Sequence, residues 1–192
     1  MAIYGGLTLK SIKQNGFSLI EVLVSLVILV VGLIGVFNLH IVSKQGSFES
    51  FQQTQASYYA NDILNRMRLN VSELANYGSS TGTSYNGKSL IVPGKLCING
   101  AVCNAAEMRQ WDLYDWQKSF IGDAEVSQGD SVGGLPVPIA CIFVDGNNVS
   151  VVMTWQSVRK MSSSDQAQSG NVKACGGTYD KKRIYEIETA IF

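Results

Sequence analysis
Histidine, positive surplus and, over its first quarter, charge of any sign are what this chain has least of. One histidine, His40, serves all 192 residues. A Ser–His–acid site would have to recruit it, and it sits at the edge of an apolar run. The four cysteines contain no CxxC pair, and one histidine does not complete them into a zinc set. No Gly-rich phosphate loop or nucleophile elbow is present. These absences point away from an enzyme and from any cofactor. Fifteen basic and fifteen acidic side chains balance, so the chain lacks the positive surplus that phosphate binding demands and no nucleic-acid partner is expected. Lys181-Lys182-Arg183 is a short basic cluster; without interleaved aromatic platforms it reads as a solvated approach to a strand. Asp112 and Asp115, three residues apart, read as a solvated acidic face.

The gap in charge is the most informative absence. Glu21 is the only charged residue between Phe17 and Lys44. A helix over this run, rising about 1.5 Å per residue, spans the roughly 30 Å hydrocarbon core of a bilayer. An ionised carboxylate at that depth costs roughly 2.5–3.5 kcal/mol, so it needs a partner or a use. Upstream, residues 1–16 hold Lys10 and Lys13, no acid, and end in Gly16. The lysines favour a cytoplasmic N-terminus with the bulk of the chain outside. A secretory signal keeps its apolar core before the cut; here it follows the only plausible cut, so cleavage would retain it.

The run Gly16-Phe17-Ser18-Leu19-Ile20-Glu21 resembles the class III leader of type IV prepilins and pseudopilins. That resemblance implies cleavage by a prepilin peptidase between Gly16 and Phe17, with N-methylation of Phe17. It further implies an assembly role for Glu21, the fifth mature residue, as partner of a neighbouring subunit's N-terminal amine. Opposite charges in low dielectric attract strongly, whereas either alone is penalised. An ordinary single-pass membrane protein is the plain alternative. Without the leader's two lysines the mature chain has thirteen basic against fifteen acidic residues, a net of −2. The expected domains are a cleaved leader (1–16), a transmembrane polymerisation half-helix (17–43), and a periplasmic head (44–192) that includes an amphipathic half-helix (44–77).

Phe48, Phe51, Tyr59, Ile63, Met67, Val71 and Leu74 mark one helical stripe, with Glu49, Gln52 and Arg66 off it. The spacing predicts one long helix from about Phe17 to Tyr77. Gly78–Gly87 is too polar and flexible to form an element. Asn104 and Glu107 make a capping box for a second helix ending near Gly122, whose Trp111, Leu113, Trp116 and Phe120 are core candidates. Ile139–Val144 and Val149–Trp155 flank a turn at Asp145-Gly146-Asn147-Asn148, a hairpin. Arg183–Ile191 alternates as a third strand with Tyr185 and Ile187 on one face; Ser162–Gly177 reads as a loop. Four cysteines allow three pairings. The turn-prone Asn99-Gly100 favours Cys97–Cys103, leaving Cys141–Cys175, and disulfides imply an oxidising compartment. The fold class is α+β: a pilin-like lollipop, its long N-terminal helix packed on a small antiparallel sheet, with a second short helix and two disulfides.

Ala56–Asn70, containing Arg66-Met67-Arg68, is similar to a segment ending in Arg-Met-Arg-x-Asn in PilV-type minor pilins. Asp112–Trp116 and Val149–Trp155 suit the same group. The resemblance implies a minor pilin that forms an inner-membrane priming and tip complex with other minor pilins. Its implied partners are the prepilin peptidase, the major pilin, a tip adhesin and inner-membrane lipid, and its implied roles are pilus assembly, adhesion and twitching motility. A minor pseudopilin of type II secretion shares the leader and fold and stays open beside it. So does a pilin that binds DNA or a surface, for which a basic or aromatic patch would be needed.

Overall fold
The computed structural model describes residues 16–88, 90–160, 169–177 and 180–192. Two compact units divide the chain, Met1–Lys44 and Gln45–Phe192. Helix α1 runs from Leu19 to Leu69. Its start is set at Ser18, whose carbonyl accepts from Glu21 N (3.0 Å) and Val22 N (3.3 Å). Every residue from Gly16 to Val42 is exposed.

In the second unit α1 stops at Leu69, short of the Tyr77 expected from its spacing. Asn70 leaves helical geometry (φ −133°, ψ 51°). Its side-chain amide donates to Ala105 O at 2.8 Å and to the Tyr77 hydroxyl at 3.3 Å, the kind of side-chain competition that disfavours Asn within a helix. A 3₁₀ turn (Val71–Glu73) and the short α2 (Leu74–Tyr77) follow.

The buried face of α1 also differs from the expected stripe. Gln52, Ala56, Tyr59, Ala60, Ile63, Leu64 and Met67 are buried, whereas Phe48 and Phe51 are 46% and 58% exposed. Ala56 and Ala60 mark the shift: both small side chains are fully buried on the packed face of the helix, and the two aromatics lie outside it.

Gly78–Gly87 does contain an element. Thr83–Tyr85 forms β1, paired antiparallel with Ile142–Ala140; an edge pairing made at such sequence distance overrides local polarity. Helix α3 spans Ala105–Ile121. Asn104 caps it through a full capping box, and Gly122 ends it in the left-handed region (φ 74°), where glycine alone carries no Cβ penalty. A minimal hairpin, β2 (Val126–Ser127) with β3 (Asp130–Ser131), comes next. Strands β4 (Ile139–Asp145) and β5 (Asn148–Gln156) form the expected hairpin. Its two-residue turn puts Gly146 at φ 60°, the first-position glycine of a II′-type turn. The described part of the Ser162–Gly177 loop holds a further helix, α4 (Gly170–Ala174), capped by the Ser169 hydroxyl; residues 161–168 lie outside the described residues. Strand β6 (Lys182–Ala190) completes a four-stranded antiparallel sheet ordered β1-β4-β5-β6.

Alternation sorts the sheet residues onto two covered faces. Ala140, Ile142, Val144, Val149, Val151, Met153 and Trp155 join the α1 residues and Trp116 and Phe120 in the main core, with Tyr185 and Ile187 packed at its edge. The opposite face carries Cys141, Phe143, Val152, Val172 and Cys175. Burial of each large aliphatic side chain here contributes roughly 1.5–3 kcal/mol. Cys141–Cys175 bridges β4 to the end of α4, and Cys97–Cys103 closes the loop before α3, with Cα separations of 5.8 and 6.0 Å.

Candidate functional site
The residues singled out at the start of α1 lie in the first unit. Phe17 is 84% exposed, and a Cβ built on Gly16 meets nothing within 4 Å. Glu21 stands in the first turn of α1, where a carboxylate is favoured by the helix dipole. Among the described residues it has no ion-pair partner. Beyond it, α1 is the one described helix long and apolar enough to cross a membrane, and none of its most apolar stretch is buried. A Cβ added at Gly32 or Gly35 would meet open space. The arrangement offers an acid without an ion-pair partner among the described residues and an uncovered apolar helix, which together suit insertion and lateral association.

In the second unit the charged residues are spent on joints between elements. Arg66 on α1 binds three carboxylates: Asp62 (3.1 Å), Asp112 (3.4 Å) and Asp115 (2.7 Å). Asp112 is buried and also accepts the Tyr77 hydroxyl at 2.6 Å. Asp112 and Asp115 are therefore not the solvated acidic face expected from their spacing. They are the α3 half of an ion network, because α1 presents a guanidinium that matches both. Burial alone would lower the Arg66 pKa; the hydrogen bonds it donates to Asp115 and Asp62 reverse this and raise it. Burial, then the Asp112 carboxylate, raises the Tyr77 hydroxyl. Trp116 adds a further tie by donating its indole N–H to Tyr59 O at 2.8 Å. Trp111, expected in the core, is only half-buried and rests on Tyr114.

A second network gathers at Glu49. Its Oε1 accepts from Ser157 (2.9 Å) and Arg159 Nε (3.2 Å), and its Oε2 from Arg159 Nη2 (2.8 Å) and Arg183 Nη2 (2.6 Å). The Arg159 hydrogen bond leads in holding the Glu49 carboxyl down at about 2. Arg183 is thus occupied, and Lys182 Nζ donates to Cys175 O and Gly177 O; these two residues of the basic cluster are bound into the fold, in contrast to the solvated approach expected of them. Among the described residues no group of three or more His, Cys, Asp or Glu could hold a metal ion.

A family model, the prokaryotic N-terminal methylation motif, matches residues 12–37. No curated protein and no solved structure matches. The match takes in Gly16, Phe17, Glu21 and the first part of α1. A motif of this kind implies processing by a prepilin peptidase and assembly with other pilins, and it supports a type IV pilin or pseudopilin with a class III leader. Proteins bearing it are structural components. With the uncovered apolar helix, it points to membrane anchoring and incorporation into a fibre.

Proposed function
We propose that this chain is a minor pilin of the type IV pilus, of the PilV type. The observation that carries the reading is the methylation motif on residues 12–37, coinciding with a lone carboxylate, Glu21, at the head of an otherwise uncharged helix. Residues 1–16 are the leader, cut between Gly16 and Phe17, and Phe17 becomes the methylated N-terminus. Residues 17–43 anchor the chain once through the bacterial inner membrane, and 44–192 form the periplasmic head. There the chain joins other minor pilins in a priming complex, starts growth of the major-pilin fibre, and travels to the tip, where it helps to seat an adhesin and supports twitching motility.

Two of the three PilV-like segments, Ala56–Asn70 and Asp112–Trp116, favour the pilus over the type II pseudopilus. One contributes Arg66 and Asn70, the other Asp112 and Asp115, and these residues bond to one another or to common partners. The looser resemblances thus fall on two sides of a single structural joint. A clean deletion tests the proposal, with sheared surface pili and secreted enzymes quantified side by side. Loss of pili with normal secretion is expected; normal pili with lost secretion would assign the chain to a type II pseudopilus.

A further inference from the structure
We infer that the groove between β1 and α3 docks an extended, uncharged, alternately apolar segment of a protein partner, added as a strand to the free edge of β1. The groove holds a cavity of about 490 Å³. Three consecutive residues, Ser84, Tyr85 and Asn86, line it. Ser84 and Tyr85 belong to β1 and Asn86 follows it directly; successive strand residues point to opposite faces of a sheet, so a cavity that touches both Ser84 and Tyr85 meets the edge of the strand. That edge is the outer one: β1 is terminal in the sheet, and among the described residues no backbone hydrogen bond joins it to any strand but β4. Main-chain donors and acceptors that face a groove select an extended backbone over a helix or a compact ligand.

The far wall fits the same occupant in length and chemistry. Arg109, Gln110, Leu113, Tyr114 and Gln117 form one face of α3. At 1.5 Å per residue this face is about 12 Å long, the reach of about four extended residues. Leu113 and Tyr114 offer apolar contact, and on the loop side Ile91 and Val92 stand 84% and 64% exposed. Arg109 is the only charged residue on the wall, and Glu73 already neutralises it at 3.1 Å. An uncharged segment is therefore preferred, since a charge entering here would find no free counter-charge. The loop side is tied just beyond Gly94: Lys95 binds Val102 O and pairs with Glu107 at 3.1 Å, and Cys97–Cys103 closes the segment that follows. Such preorganisation lowers the ordering cost of docking.

The inference rests on the proposed function only in taking the partner to be a co-assembled subunit. Its test uses the full chain in cells that display the assembly, with the photo-crosslinker p-benzoylphenylalanine at Gln110, an exposed position. The expected adduct maps by mass spectrometry to an extended, alternately apolar segment of another subunit. Val92→Asp, which places a charge at the rim on an exposed residue, should reduce that adduct by about tenfold. No adduct, an adduct to a helix, lipid or glycan, or one indifferent to Val92→Asp overturns the inference. Sheared fibres from the same cells separate the two claims. Chain present in fibres without the adduct overturns the docking inference alone; chain processed and inserted but absent from fibres overturns the assembly reading.

Discussion
Arg66 Nη2 lies 2.7 Å from Asp115 Oδ2, and the same guanidinium reaches Asp112 at 3.4 Å, so one side chain of α1 fixes two successive turns of α3. Asp112 is the deeper partner, with its side chain 9% exposed against 40% for Asp115. Removing Arg66 leaves the Asp112 carboxylate buried with, among the described residues, the Tyr77 hydroxyl as its remaining side-chain partner. Breaking a pair in that way costs more than the pair contributes net. Arg66→Ala should destabilise the fold by about 2–3 kcal/mol. Arg68→Ala, whose partner is the neighbouring Asn65 on an exposed face, should stay within about 0.5 kcal/mol. Denaturant midpoints of the two oxidised full-length variants in detergent give the comparison, and equal shifts would refute it.

Acid should loosen the contact made by Glu49. Its folded pKa of about 2 lies below the ordinary 4.5, so the unfolded chain takes up the proton first as pH falls. The stability it contributes is fully present above pH 4.5 and is lost as pH drops towards 2. Ser157, Arg159 and Arg183 face the carboxylate, and neither arginine titrates in this window. Glu49→Gln should therefore be less stable than wild type at neutral pH, with the difference shrinking between pH 4.5 and 2. A gap in urea midpoint that holds constant across that range would mean that Glu49 acts through packing alone.

Gln52 is a candidate for gain. It is 2% exposed, and neither its amide oxygen nor its nitrogen has a hydrogen-bond partner. A buried amide left unsatisfied is penalised by roughly 1–3 kcal/mol. Gln52→Met keeps the length of the side chain and removes both polar atoms, so it should stabilise by about 1 kcal/mol. Lower stability of Gln52→Met in a thermal melt would show that the amide is satisfied in solution.

Gln52 also marks the limit of what could be read without coordinates. The β4–β5 hairpin and the α3 capping box were legible because their signals are local: Gly146 in a two-residue turn, Asn104 three residues before Glu107. The buried face of α1 was legible only in part. Tyr59, Ile63 and Met67 of the expected stripe are buried, but Gln52, Ala56 and Ala60 join them with little hydrophobic signal, while Phe48 and Phe51 carry much and face outward. Strand β1 was hidden in a serine- and threonine-rich stretch because only its pairing with β4 makes it a strand. Asp112 looked solvated because the cation that accounts for it, Arg66, is distant in sequence. The run Gly16–Glu21 was legible for the opposite reason, since a lone acid in an apolar segment needs no tertiary context to stand out.

Glu21 is also where assembly can be separated from folding. It lies in the first unit, exposed and without an ion-pair partner among the described residues, so the second unit's core does not depend on it. In a bilayer an unpaired carboxylate is penalised, and a neighbouring N-terminal amine removes the penalty only when the subunits meet. Glu21→Ala should leave insertion, the bond between Cys141 and Cys175, and the core intact. Incorporation into sheared fibres should fall on the order of tenfold, the effect of losing about 1.4 kcal/mol of docking free energy. Glu21→Asp, which keeps the charge on a shorter side chain, should recover part of that loss, whereas Glu21→Gln should not. Immunoblots of membrane and fibre fractions read both quantities at once. If Glu21→Ala enters fibres at the wild-type level, charge pairing does not recruit this chain.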